Sequence, residues 1–174
     1  MTLKERGRVL EILLVEDNPA DVRLVSEALK DHHTPYHLTV IDDGEEALAY
    51  LRQAGGYTRA SRPDIVLLDI NLPRKNGREV LAEMKQDPRL RCIPVIVLTS
   101  SQDKAEIERC YQLHANAYVV KSDRVEQFFD VIKMLEDFWF SIVTLFSGEE
   151  RQWDEQALET LANGALSPGP LPKG

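Results

Sequence analysis

Short apolar runs punctuate the chain: Glu11-Ile12-Leu13-Leu14-Val15, Ile65-Val66-Leu67-Leu68, Val95-Ile96-Val97-Leu98 and Ala117-Tyr118-Val119-Val120. Runs this short, bounded by turn residues, predict buried strands, and residues 36–41 alternate enough to add a fifth. Between them the apolar positions change to helical spacing. Asn18-Pro19 opens a helix carrying Val22, Leu24, Val25 and Leu29, and Asp42-Asp43-Gly44 turns into one carrying Ala47, Leu48 and Leu51. Gly55-Gly56 is the expected stop of that second helix, because glycine takes the left-handed cap conformation without a steric cost. Asn76-Gly77 could mark a hairpin, but Val80, Leu81 and Met84 follow at helical spacing and predict a helix. Pro94 introduces the fourth strand, Ser100 or Ser101 is the expected cap of the fourth helix, and Asn116 precedes the fifth strand. Five successive strand–helix units predict an α/β fold, a doubly wound parallel sheet with helices on both faces.

In such a sheet, ligands and chemistry collect outside the carboxyl ends of the strands. Here Glu16 and Asp17 follow the first run, Asp69 the third strand, Thr99 closes the fourth and Lys121 follows the fifth. Three acids, a hydroxyl and an ammonium suit a divalent metal and a phosphoryl group. Composition narrows the classes further. With 174 residues the chain has room for one domain and a modest appendage. A net charge of −8 argues against general attraction to nucleic acid or an anionic membrane. No secretory signal is expected at the start, and Asp130, Lys133, Glu136 and Asp137 interrupt the most apolar segment, 128–146, so no membrane span is expected. Cys92 and Cys110 offer neither a disulfide framework nor metal-ligand spacing and are read as packing residues, in a cytoplasmic protein. His32, His33, His37 and His114 are read as turn or surface residues.

The acidic pair Glu16-Asp17, Asp69 with Asn71 and Pro73 after it, Gly77, Thr99, Tyr118 and Lys121 stand in the order and at the strand ends found in receiver domains of two-component response regulators, which the chain from about residue 11 to 121 resembles. The stretches Glu16-Asp17-Asn18 with Ala20-Asp21-Val22-Arg23-Leu24-Val25, Asn71-Leu72-Pro73 with Gly77-Arg78-Glu79-Val80-Leu81, and Lys121-Ser122 are more closely similar to stand-alone regulators paired with bacterial phytochrome-type histidine kinases. The resemblance implies a flavodoxin-like strand order of 2-1-3-4-5 and a phosphoacceptor, Asp69, served by a sensor histidine kinase. It implies no enzyme in the ordinary sense, but an acceptor that assists its own phosphorylation and dephosphorylation. A carboxylate and a phosphoryl group repel each other, and Mg2+ removes that difficulty by bridging their oxygens. Asp17 and Asp69 are the implied direct ligands, with the backbone carbonyl of Asn71 as a third and Glu16 acting through water. Lys121 and Thr99 would each meet a phosphoryl oxygen. Thr99 and Tyr118 form the implied switch, Tyr118 turning inward as Thr99 moves, so that the surface made by the fourth helix, fifth strand and last helix changes. One departure is Ser122, where receivers usually carry a proline after the lysine in a cis peptide; a cis non-proline bond is costly, so a trans bond is expected.

The receiver is expected to span 9–146, and the acidic extension 147–174, ending in Ser167-Pro168-Gly169-Pro170-Leu171-Pro172, is expected to be partly disordered. The last helix is expected over 124–146, about 34 Å long. Phe128, Ile132, Leu135, Trp139, Ile142 and Phe146 form a heptad-like seam, with Val131, Met134, Phe138 and Leu145 as a second strip. One sheet cannot bury both, so a homodimer through Met134, Phe138, Trp139, Ile142 and Leu145 is expected. The competing reading is a Mg2+-dependent aspartyl-phosphate phosphatase of the haloacid-dehalogenase type, but its second aspartate would stand at Asn71. A flavodoxin-like nucleotide binder lacks its phosphate cradle here, and the acidic tail is too short for a helix-turn-helix, so direct DNA binding is not expected.

Overall fold

The computed structural model describes residues 9–30 and 35–145. His32, His33, Phe146 and the acidic extension over 147–174 lie outside the described residues. The elements alternate as expected: β1 (Leu10–Val15), α1 (Pro19–Leu29), β2 (Tyr36–Ile41), α2 (Gly44–Leu51), β3 (Ile65–Leu68), α3 (Gly77–Gln86), β4 (Val95–Thr99), α4 (Lys104–Gln112), β5 (Ala117–Val120) and α5 (Val125–Glu136). All pairings are parallel, in the order β2-β1-β3-β4-β5.

Side chains alternate across each strand, so the buried runs feed two cores. Leu13, Val15, Val66, Leu68, Val95 and Val97 face α2, α3 and α4, where they meet Leu48, Leu81, Met84 and Cys110. Leu10, Ile12, Leu14, Leu67, Ile96 and Leu98 face α1 and α5, meeting Val25, Leu29, Phe128 and Ile132. Among the described residues, no helix is long and apolar enough to cross a membrane.

Helix starts are set by side-chain caps. Asn18 accepts from the Ala20 amide at 2.9 Å, with Pro19 in the first turn, and Asn76 forms a reciprocal capping box with Glu79. Two expectations are overturned at helix ends. The fourth helix is capped by Asp103, not by Ser100 or Ser101; Ser101 Oγ instead accepts from the Asp103 amide at 3.3 Å. The second helix ends at Leu51, before the glycine pair is reached. Gln53 takes the left-handed turn at φ 54°, and Gly55, also at a positive φ of 60°, starts a separate single turn of 3-10 helix through Tyr57.

The last helix departs most from its pattern. It is α-helical only to Glu136, widens into a π-helical turn over Asp137–Ile142, and gives way to extended backbone at Val143, whose amide donates to the Phe138 carbonyl at 3.0 Å. Its inward residues, Phe128, Ile132, Glu136 and Phe140, recur every four positions. At 3.6 residues per turn the last of these would lie about 120° around the helix from Phe128, and the wider turn reduces that angle. Leu145 is thereby buried in the α1/α5 core, so it is not available to a dimer interface. Trp139 is half-buried against the same core, while Met134 (71 %), Phe138 (50 %) and Ile142 (70 %) remain exposed. Cys110 packs as expected; Cys92 is exposed and does not.

Asp43 caps α2, accepting from the Glu46 amide at 2.9 Å and pairing with Arg74. Burial would raise its carboxyl, but the Arg74 guanidinium and the amide hold it below the usual aspartate range. A depressed carboxylate contributes stability that is present above its unfolded value and lost as pH falls through its folded one. Asp43→Ala should therefore cost about 1–2 kcal/mol at neutral pH in urea unfolding. The gap to the parent protein should close as pH falls through the acid range; a gap unchanged at low pH would show that Asp43 acts only by shape.

Candidate functional site

The carboxyl ends of β1, β3, β4 and β5 lie at one edge of the sheet, and the backbone ladder fixes the residue that leaves each strand. The Asp69 amide donates to the Val15 carbonyl at 2.9 Å, and the Lys121 amide to the Thr99 carbonyl at 2.7 Å. Behind Asp69 the start of α3 presses close. A Cβ on Gly77 would come within 2.0 Å of the Asp69 carbonyl oxygen, so only glycine lets the helix approach there. The Gly77 amide donates to the Ile70 carbonyl at 2.8 Å and completes the hold on that turn.

Four of the residues expected at this site converge. Asp69 Oδ1 accepts from the Ile70 amide at 2.7 Å and the Asn71 amide at 3.4 Å, which orients the buried carboxylate. Glu16, Asp17 and Asp69 each present an oxygen within 4.8 Å of the others; Glu16 and Asp69 are buried and Asp17 is exposed. Lys121 reaches into this group, with Nζ 2.5 Å from Glu16 Oε2 and 3.2 Å from Asp69 Oδ2. Burial pushes the Glu16 carboxyl up to about 7; the Lys121 hydrogen bond opposes this and the Asp69 charge adds to it. For Lys121 burial works downward, but hydrogen bonds to Asp21 and Glu16 and the charge of Asp69 outweigh it and hold the ammonium above the usual lysine range. Hard oxygen donors crowded around a single ammonium fit a divalent cation, and such an ion would sit against Glu16, Asp17 and Asp69.

Thr99 is fully buried, and its hydroxyl accepts from the Ser101 amide at 3.3 Å. Tyr118 is half-buried against the α2/α3/α4 core, and its hydroxyl donates to the Ser101 carbonyl at 3.1 Å. Both expected switch residues thus meet at Ser101. The amide of Tyr118 donates sideways to the Tyr111 hydroxyl at 3.2 Å. Asn71 lies in the loop beyond Asp69, with its side chain exposed. The Lys121–Ser122 bond is trans, as are all peptide bonds described. Ser122 shapes the turn into α5 by accepting from the Arg124 amide at 3.2 Å and bonding Gln127 Oε1 at 2.8 Å.

Sequence reasoning undervalued Asp21. It reads as an ordinary helix-start acid, yet Oδ2 lies 2.8 Å from Lys121 Nζ. His37 is exposed and pairs with Glu11 at 3.0 Å, and His114 is exposed in a turn at φ 66°, surface and turn positions as expected.

The comparisons with known proteins agree with this geometry. The profile of the response regulator receiver domain matches residues 12–133. The response regulator Rcp1 of Synechocystis is 48 % identical over 134 residues, which cover 77 % of this chain and 91 % of Rcp1. The crystal structure of the phosphorylated cyanobacterial phytochrome response regulator RcpA superposes with a TM-score of 0.79 at 51 % identity, covering 80 % of this chain and all of RcpA. The Mn2+-bound form of Rcp1 gives 0.78 at 46 %, covering 79 % of this chain and 99 % of that one. With a buried aspartate at the end of β3, an acidic pair after β1 and a lysine after β5 all converging on one point, the chain belongs to the response regulator receiver domain family.

Proposed function

We propose that this chain receives a phosphoryl group on Asp69 from a sensor histidine kinase of the phytochrome type, with Mg2+ as the cation. The observation that carries the reading is the Asp69 carboxylate itself. One of its oxygens is fixed by two backbone amides, and the other faces the Lys121 ammonium beside two further carboxylates. Kinase type is supported by RcpA, described as a phytochrome response regulator, and cation binding by the Mn2+ form of Rcp1. In transfer, an Asp69 oxygen forms a bond to phosphorus as the bond from phosphorus to the kinase imidazole breaks, its electron pair returning to the ring nitrogen. Lys121 places positive charge against the group being transferred, and the Thr99 hydroxyl donates to another of its oxygens. Asp17, Asp69 and the Asn71 carbonyl, with Glu16 through water, would hold Mg2+, which would supply charge neutralisation between the two anions. The haloacid-dehalogenase reading has no support at Asn71, which has no proton-transfer role.

Loss of Thr99 from its Ser101 contact would let Tyr118 repack, since both bond the same residue. That links phosphorylation to the face built from α4, β5 and α5. The exposed strip Met134, Phe138 and Ile142 runs at four-residue intervals along α5 and the π turn that continues it, and a second copy of the chain is its proposed occupant.

Incubation with acetyl phosphate and Mg2+ should add one phosphoryl group by intact mass, and Asp69→Asn should add none; incorporation into the variant would place the acceptor elsewhere. Asp17→Ala should weaken Mg2+ binding to the unphosphorylated protein at least roughly tenfold by calorimetric titration. An unchanged affinity would remove Asp17 from the ligands. For assembly, light scattering at micromolar concentration should show a dimer that Phe138→Asp dissociates. A chain that stays monomeric with and without phosphorylation would sink the dimer.

A further inference from the structure

The loop between β3 and α3 is held from outside as well as from within. Inside it, Asp69 Oδ1 accepts from the Ile70 and Asn71 amides, the Leu72 amide donates to the Ile70 carbonyl at 3.0 Å, and the Lys75 amide to the Pro73 carbonyl at 2.7 Å. Arg74 is left-handed at φ 60°, a conformation that a residue with a Cβ keeps only where its surroundings hold it. The holding group comes from another element. Arg74 Nε donates to Oδ2 of Asp43, which is buried at the start of α2, 31 positions away, with its other oxygen taken by the Glu46 amide. Beside it the Lys75 carbonyl passes so close to Gly44 that a Cβ there would collide with it. Side chain and backbone of the loop are thus both seated on the first residues of α2.

We propose that Asp43 and Arg74 are positioning residues for the divalent cation, their ion pair holding the loop so that the Asn71 carbonyl stands ready beside Asp17 and Asp69. The inference rests on the reading of that carbonyl as a ligand of the acceptor site. Neither Asp43 nor Arg74 belongs to the converging acidic group, so both act through the loop. A carboxylate can swing on its side chain to meet an ion, whereas a backbone carbonyl points where the loop dihedrals aim it. Mg2+ demands near-ideal octahedral geometry, so a misdirected carbonyl is a lost ligand. With the pair intact, the loop is ordered before binding. Without it Arg74 can leave its left-handed conformation, the Asn71 carbonyl samples other directions, and the ordering falls on the binding step. Arg74 is 60 % exposed, so the pair adds little to global stability and its effect is local to the loop.

The test is calorimetric Mg2+ titration of the full, unphosphorylated chain at about 0.15 M salt, where distant exposed charges are largely screened. Asp43→Asn keeps the α2 cap, since asparagine caps as well as aspartate, and removes the charge that holds Arg74. Asp43→Asn and Arg74→Ala should each weaken Mg2+ binding roughly fivefold, the upper scale of an exposed ion pair, and Arg74→Lys should recover part of the loss. The sign separates positioning from charge. Removing a cation would by charge alone tighten Mg2+ binding, so an Arg74→Ala chain that binds Mg2+ as well as the parent, or better, would overturn the proposal. The double variant should bind no more weakly than either single one; additive losses would overturn it too. A second arm needs no metal. In chelator, amide exchange followed by NMR should quicken at Leu72 and Lys75 in both single variants while the capped Glu46 amide stays protected, and unchanged exchange in the loop would overturn the tie. A parent chain whose Mg2+ binding is absent or indifferent to Asp17→Ala would overturn the functional reading instead, with the exchange arm still judging the hold of Asp43 on Arg74.

Discussion

Everything at the working edge of this protein is organised by a shortage of positive charge. Glu16, Asp17, Asp21 and Asp69 crowd the ends of β1, α1 and β3, and the Lys121 ammonium bonds three of the four. Burial makes the shortage felt, since Glu16 is already driven toward its neutral form near pH 7. Such a cluster stores an appetite for cations. The free energy of that appetite is tolerated because the strands beneath are locked into two full cores and cannot relax away from one another.

The fold delivers these groups by simple means. Parallel strands end at one edge, the ladder sets Asp69 against Val15 and Lys121 against Thr99, and glycine at position 77 lets α3 close on the Asp69 turn. Helix caps then fix the loops between. The Asn18 cap does double duty, because it starts α1 and so aims Asp21, while the Asn76 capping box sets the start of the helix that Gly77 presses against Asp69.

The strand ends were legible because each acid or base directly follows an apolar run, and the same periodicity that located the strands located Glu16, Asp17, Asp69, Thr99 and Lys121. Asp21 was not, since its partner lies a hundred residues away and a first-turn acid has a sufficient local explanation in the helix dipole. The last helix misled for a different reason. Its apolar residues fit a heptad seam on paper, but the core asks for every fourth residue, and backbone that widens into a π turn satisfies that demand where an ideal helix would not. Leu145 therefore serves the monomer, and the exposed strip is narrower than composition implied. Cap choice also escaped the sequence: Ser100, Ser101 and Asp103 are all competent, and only the path of the loop selects Asp103.

The bond from the Tyr118 amide to the Tyr111 hydroxyl has a bearing on how copies of the chain can meet. β5 is an edge strand, and edge amides ordinarily invite a foreign strand to extend the sheet. Here the invitation at Tyr118 is already answered by a side chain from the neighbouring helix. A strand added at this edge would first have to displace that bond.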